Sequence, residues 1–208
     1  LLKELKLMEA LSSKSNLPMR SYIRNYKSAN IINSMDFDKN FITMDRRDLV
    51  QTLATKFEDI GGTIHFGKQI KSVDPSTGEV SVSEEETISY DLILFCDGIN
   101  SLLRNLYIDE QEPRFSNYVA WRGIISEDNL PHYEGSDKVN VYYGPGGHCV
   151  HYPIGGEGLI NFIAIEHNSM WSEESWKIEG NKSEFLKRFK DWNETLVHML
   201  GSAEKIYK

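Results

Sequence analysis

The string Tyr90-Asp-Leu-Ile-Leu-Phe-Cys-Asp-Gly-Ile-Asn-Ser-Leu-Leu-Arg104 holds the densest set of groups able to do chemistry. The apolar run after Asp91 predicts a strand over residues 91–96, buried on both faces of a parallel sheet. Such a strand delivers Asp97 and Gly98 at its C-terminal end, where open α/β sheets bind their ligands. A glycine there lets backbone approach a pyrophosphate or polyol chain, a carboxylate accepts from sugar hydroxyls, and Ser101 can cap a following helix. Asp-Gly is also a common turn after any strand, so the pair alone leaves both readings open.

Arginine supplies two further candidates. Arg46 falls in the first turn of a predicted helix, where a cation opposes the macrodipole at a cost of a few tenths of a kcal/mol unless an anion lies nearby. The alternative is that Asp45 and Asp48 neutralise Arg46 and Arg47 on a wet surface. In Trp121-Arg122-Gly123 a guanidinium sits on a predicted strand, and its fork suits planar anions such as carboxylates and phenolates. A salt-bridged Arg122 and a packed Tyr152 are the plainer readings of those two positions. His148 and His151 alternate along one strand and so face opposite sides, which argues against a metal site. Cys149 and His151 share a face but lack an orienting third group and oxyanion donors. Gly144-Pro-Gly-Gly147 and Gly155-Gly-Glu-Gly158 read as hairpin turns, because neither leads from a strand into a helix.

The elements that must position these groups are read from periodicity. The spacing of Leu1, Leu5, Met8 and Leu11 predicts one helix face. A second helix starts at Thr43 or Asp45, carries Leu49, Val50, Leu53, Ala54 and Phe57 as its apolar stripe, and stops at Gly61-Gly62. Short strands are expected over 63–66, 69–73 and 80–83, with the acidic turn Glu84-Glu85-Glu86 at a hairpin end. Beyond Arg104, strands at 118–125, 139–143, 148–153 and 159–166 predict an antiparallel sheet, followed by a helix from about Lys182 that buries Phe185, Phe189, Trp192 and Leu196. Charge and Pro113 place the boundary between two domains near residues 109–115, giving 1–112 and 113–208. The fold class is mixed, α/β with α+β character.

The 208 residues are 40% hydrophobic and 26% charged, ordinary for a globular protein, and the formal net charge of −8 excludes a nucleic-acid partner. Two cysteines, Cys96 and Cys149, lie in apolar runs and read as buried free thiols of a reducing compartment. No apolar stretch reaches the roughly 20 residues of a membrane span, and residues 1–10 lack the charges of a signal peptide, so a cytoplasmic location is expected. Glycosylation sequons at Asn181 and Asn193 fall in or beside a predicted helix and are discounted.

The string around Asp97-Gly98 resembles the second flavin motif of the aromatic-ring hydroxylase family of flavoprotein monooxygenases, including salicylate-hydroxylase-like enzymes. The resemblance extends to Asp45-Arg-Arg-Asp-Leu-Val-Gln-Thr-Leu53, Val119-Ala-Trp-Arg-Gly123, Gly144-Pro-Gly-Gly-His-Cys-Val-His-Tyr-Pro153 and Leu159-Ile-Asn-Phe-Ile163, in the family's order. It implies a partial FAD-binding Rossmann-like domain with Arg46, Asp97 and Gly98 as cofactor contacts. It also implies an antiparallel substrate-domain sheet with packed helices, carrying Arg122 and Tyr152 as active-site residues. In the implied reaction NAD(P)H reduces FAD, dioxygen forms a flavin hydroperoxide, and a small aromatic substrate held near Arg122 receives one oxygen atom. The partners implied are that small molecule and dioxygen. Asp45 stands where the family often has His, and Cys96 where a small residue is usual. The family's Gly-x-Gly-x-x-Gly and its downstream Gly-Asp motif do not occur, so the chain is expected to be an internal fragment that binds FAD weakly by itself. A non-catalytic remnant acting as a binding module, and a related flavoprotein acting by epoxidation or reduction, are the alternatives.

Overall fold

The computed structural model describes residues 2–83, 86–108, 112–130, 133, 135, 137–155, 158–170 and 178–208. Parts of the acidic turn at 84–85, the expected boundary at 109–111 and the glycine turn at 156–157 lie outside the described residues. Along the chain run α1 (Met8–Ser12), β1 (Ser15–Asn16), β2 (Arg20–Asn25), β3 (Ile31–Asp36), β4 (Thr43–Met44) and α2 (Arg46–Asp59). Next come β5 (Ser72–Asp74), β6 (Glu79–Ser81), β7 (Thr87–Ser89) and α3 (Leu102–Tyr107). The chain continues with β8 (Tyr118–Ser126), β9 (Lys138–Gly144), β10 (Gly147–Ile154), β11 (Leu159–His167), α4 (Lys182–Phe189), α5 (Glu194–Gly201) and β12 (Ile206–Tyr207).

Contacts divide the chain into two compact units, one of residues 1–59 with 117–208, the other of residues 60–116. The first 59 residues group with the later sheet. The cause is β2, which pairs parallel to β9, with Tyr22 opposite Asn140 and Arg24 opposite Tyr142. A parallel neighbour requires a long crossover, and the partners here are remote in sequence. The sheet is therefore not purely antiparallel, as the alternation predicts, but seven-stranded in the order β12-β8-β11-β10-β9-β2-β3 with one parallel pair.

One face of this sheet is covered by α4 and α5. Alternation along β8 and β11 turns Trp121, Ile125, Ile160, Phe162 and Ala164 toward the helices, where Phe185, Phe189, Leu196 and Leu200 complete the core. Phe185 lies 5.3 Å from Trp121 and 5.7 Å from Phe162, centroid to centroid. Burying each such ring stabilises the unit by about 1.5–3 kcal/mol. The single helix expected from Lys182 is two helices, broken after Phe189, although all four predicted core residues are buried. Asn193 causes the break: its side chain accepts from the Leu196 amide at 3.2 Å and starts α5, a local bond that competes with helix continuation. Asn181 caps α4 in the same way, on the Glu184 amide. Both sequon asparagines are therefore engaged in capping.

Residues 60–116 hold a three-stranded meander, β5-β6-β7, over a small core of Val73, Val80 and Leu103. Two expectations fail here. Residues 63–66 form no strand, and the segment 91–96, expected to be doubly buried, pairs with none of the described strands and leaves Leu92 75% and Leu94 74% exposed. Cys96 is exposed accordingly, unlike Cys149. A strand exists only through a neighbour's N–H and C=O groups, and apolarity alone does not supply one. The stripe of α2 is likewise uncovered, with none of its residues fully buried.

Candidate functional site

Strand alternation sends every second residue of the large sheet to the face opposite the helices. On β8 this face receives Ala120, Arg122 and Ile124; on β11, Leu159, Asn161, Ile163 and Ile165; on β10, His148, Val150 and Tyr152. Arg122 stands opposite Ile163 and Tyr207, and Tyr152 stands opposite Asn161. Arg122 and Tyr152 thus share a face two strands apart and one pleat out of step, about 12 Å between Cα atoms from the usual strand spacing and rise. Asn161 lies between them on β11.

Arg122 lines a cleft of about 680 Å³ together with Ile124, Leu159, Asn161, Lys205 and Tyr207. Its guanidinium is partly buried, and that burial draws its pKa below the ordinary arginine value. A guanidinium stays charged in such a setting and becomes a stronger partner for an anion, since less water competes for its N–H groups. Tyr152 is half-buried on the same face but is not part of the cleft wall. Asn161 is missing from the residues that sequence reasoning selects; its signal is a single amide in an otherwise apolar alternating strand. The contribution of Lys205 and Tyr207 has no sequence signal, because β12 is only two residues long.

Within residues 60–116, Asp97 is exposed and its Oδ1 accepts from the Ser101 hydroxyl at 2.7 Å. Ser101 caps α3 as expected, its Oγ accepting from the Arg104 amide at 3.0 Å. The pair locks the turn after Asp97 and leaves the second carboxylate oxygen available to accept from a ligand hydroxyl. Gly98 has φ +89°, a conformation that side-chain-bearing residues rarely adopt, and a Cβ built on it meets nothing within 4 Å. The glycine is thus required by backbone conformation, and the space beside it is open to a ligand's approach. Asp97 and Gly98 sit at the end of an extended apolar segment rather than at the tip of a formed strand.

Arg46 is the first residue of α2 and is exposed. The carboxylate of Asp45 is taken by Arg47, at 2.8 Å from its Nη2, and also accepts from the Arg47 amide as the helix cap. These bonds hold the Asp45 carboxyl below the ordinary carboxylate range. Asp48 is paired with Lys14 at 3.6 Å. Among the described residues Arg46 makes no salt bridge, so of the two adjacent arginines it is the one left to meet an external anion.

His148 and His151 lie on opposite faces of the sheet, as the strand period requires. His151 and Cys149 share the helix-covered face, where burial pushes the thiol well above its usual value and burial with the nearby Arg24 charge pulls the imidazole down to about 3. A protonated thiol beside a neutral histidine in a packed core is inert. Among the described residues no three His, Cys, Asp or Glu side chains converge, and no helix is long and apolar enough to cross a membrane.

Comparison with known proteins gives a consistent set of relatives. No family model matches the chain. Over 113 residues the chain is 34% identical to a 3-amino-4-hydroxybenzoate 2-monooxygenase of Streptomyces platensis, covering 54% of this chain and 28% of that protein. It is 29% identical over 179 residues to a salicylate hydroxylase of Pseudomonas putida, covering 76% of this chain and 41% of that one. Among solved structures, a salicylate hydroxylase substrate complex matches 99% of this chain and 57% of its own, with a TM-score of 0.78 at 18% identity. Klebsiella pneumoniae HpxO complexed with FAD and uric acid matches 99% and 54%, with a TM-score of 0.76 at 17% identity. The chain therefore spans well under two thirds of the length of these proteins.

Proposed function

We propose that the chain, which is similar to FAD-dependent aromatic hydroxylases, is part of a longer monooxygenase whose substrate is a small hydroxybenzoate held by Arg122. The observation that carries this reading is the partly buried guanidinium of Arg122 on the uncovered sheet face, within a cleft of about 680 Å³. Relatives are named for 3-amino-4-hydroxybenzoate, salicylate and 3-hydroxybenzoate, all planar rings that bear a carboxylate. A guanidinium fork bonds such a group in two places and so fixes the ring's orientation. Asn161 adds an amide donor and acceptor beside it, and Ile124, Leu159 and Ile163 offer apolar surface to the ring. Tyr152 lies farther along the same face, outside the cleft wall.

When bound, FAD reduced by NAD(P)H supplies the dioxygen activation. Asp97 and Gly98 fit part of that cofactor: one carboxylate oxygen is committed to Ser101 while the other can accept from a sugar or ribityl hydroxyl, and the glycine leaves open space for close approach. Arg46, without a salt bridge among the described residues, would meet the cofactor's phosphate charge. The role left to the chain's own residues is to hold the substrate, orient it and keep water from the reacting positions.

The test is substrate-dependent NAD(P)H oxidation by the whole protein, assayed with salicylate and 3-hydroxybenzoate. Arg122→Ala is expected to abolish the stimulation by these carboxylates while flavin content stays the same. Turnover equal to that of the unaltered protein removes Arg122 from the active site.

A further inference from the structure

From Leu159 to Ile165, Asn161 is the single polar residue of β11, and the rest of that stretch is apolar. Its neighbours Ile160 and Phe162 are buried in the helix-covered core, whereas Asn161 turns to the opposite face and lines the cleft beside Arg122. There it is half-buried, and its side chain has no hydrogen-bond partner among the described residues. A ligand that covers such an amide strips it of water, and the complex is weakened unless the ligand itself bonds the amide.

The strand register says which part of a ligand Asn161 meets. Asn161 stands directly opposite Ile124, about 5 Å away between Cα atoms. Along β8, Arg122 lies one pleat from Ile124, about 7 Å, and Ser126 lies one pleat away on the other side. Ile124 is 43% exposed, so it offers an apolar floor between those two polar groups. A ring whose carboxylate is fixed on Arg122 and whose body lies on Ile124 therefore presents its edge to Asn161 and its far end to Ser126. The other charged residues lining the cleft, Glu204 and Lys205, are exposed and opposite in sign.

We propose that Asn161 is the specificity-determining residue of this cleft: its amide bonds a hydroxyl on the edge of the substrate ring, at the 2- or 3-position relative to the carboxylate, and not one at the 4-position. The inference rests on the reading of Arg122 as the carboxylate's partner. An amide both donates and accepts, so it serves a ring hydroxyl in either role. A ring without an edge hydroxyl covers the amide and leaves it unmet, which is how a polar group discriminates against an analogue that lacks its partner.

The test is calorimetric titration of the whole protein, without NAD(P)H so that nothing turns over, with benzoate, salicylate, 3-hydroxybenzoate and 4-hydroxybenzoate. Salicylate or 3-hydroxybenzoate is expected to bind about tenfold more tightly than benzoate, the effect of one hydrogen bond, and 4-hydroxybenzoate to bind like benzoate. Asn161→Leu is expected to erase that preference while the affinity for benzoate stays within about twofold. An edge-hydroxyl preference that is absent from the unaltered protein, or that persists in Asn161→Leu, overturns the assignment. So does an equal loss for benzoate and the hydroxybenzoates, which would show that Asn161 only shapes the cleft. Failure of the Arg122 reading looks different: benzoate would then bind Arg122→Ala as well as it binds the unaltered protein.

Discussion

Phe162 and Leu94 are large apolar residues in comparably apolar stretches, yet Phe162 is 0% exposed and Leu94 is 74% exposed. The difference is one of partners. Phe162 lies on a strand paired on both sides and under a helix that presents Phe185, so the unit of residues 1–59 and 117–208 brings its own cover. Leu94 lies on a segment with no paired neighbour among the described strands, in a unit whose core is three buried residues. The large sheet thus carries its own cover, whereas residues 60–116 leave Leu92, Leu94 and the Asp97-Gly98 turn exposed.

Four experiments bear on this contrast. The largest effect is expected from Phe162→Ala, which removes a ring at the centre of the helix-covered core and should cost about 3–5 kcal/mol in urea unfolding followed by tryptophan fluorescence. A loss below about 1 kcal/mol would mean that the core does not hold the sheet. Gly123→Ala comes next, because its Cβ would lie 2.5 Å from the Phe162 ring and 3.0 Å from the Lys205 carbonyl. Overpacking of that kind costs about 1–3 kcal/mol in the same assay, and it threatens the pairing of β12 beside Arg122.

The third experiment uses pH. His151 is held down to about 3 from its usual 6.5, chiefly by burial, so the unfolded chain binds a proton that the folded one refuses. Its contribution is therefore complete above pH 6.5 and is lost as the pH falls toward 3, with a slope of at most about 1.4 kcal/mol per pH unit. His151→Gln should flatten the dependence of the urea midpoint between neutral and mildly acidic pH; an unchanged slope would place the titrating group elsewhere. The smallest effect is expected at Leu94→Gln, which should change stability by no more than about 0.5 kcal/mol, as at any exposed site. A loss as large as that of Phe162→Ala would mean that Leu94 is packed, as its neighbours Ile93 and Phe95 are.

Legibility in the sequence divides along the same line. The hairpins of β8 to β11 can be read because alternation and the Pro145-Gly146 turn are local signals, and their registers put Arg122 and Tyr152 on one face. The first two strands of the sheet cannot: β3 is exposed along its whole length, so it carries no burial pattern, and β2 finds its parallel partner far along the chain. The apolar character of 91–96 is plain, but pairing is a property of two segments and apolarity of one. In sequence Arg46 and Arg47 are equivalent, and only the geometry of Asp45 and Asp48 distinguishes them. Asn161 escapes because it is a single polar residue in an apolar run, meaningful only once neighbouring strands are in register.

The measurement that tests the central claim most directly is the FAD dissociation constant of the whole protein with and without Asp97→Ala. Loss of a charged hydrogen bond to the cofactor should weaken binding about ten- to hundredfold, with the fold of the sheet intact by tryptophan fluorescence. An unchanged dissociation constant would contradict the assignment of Asp97 to the flavin site.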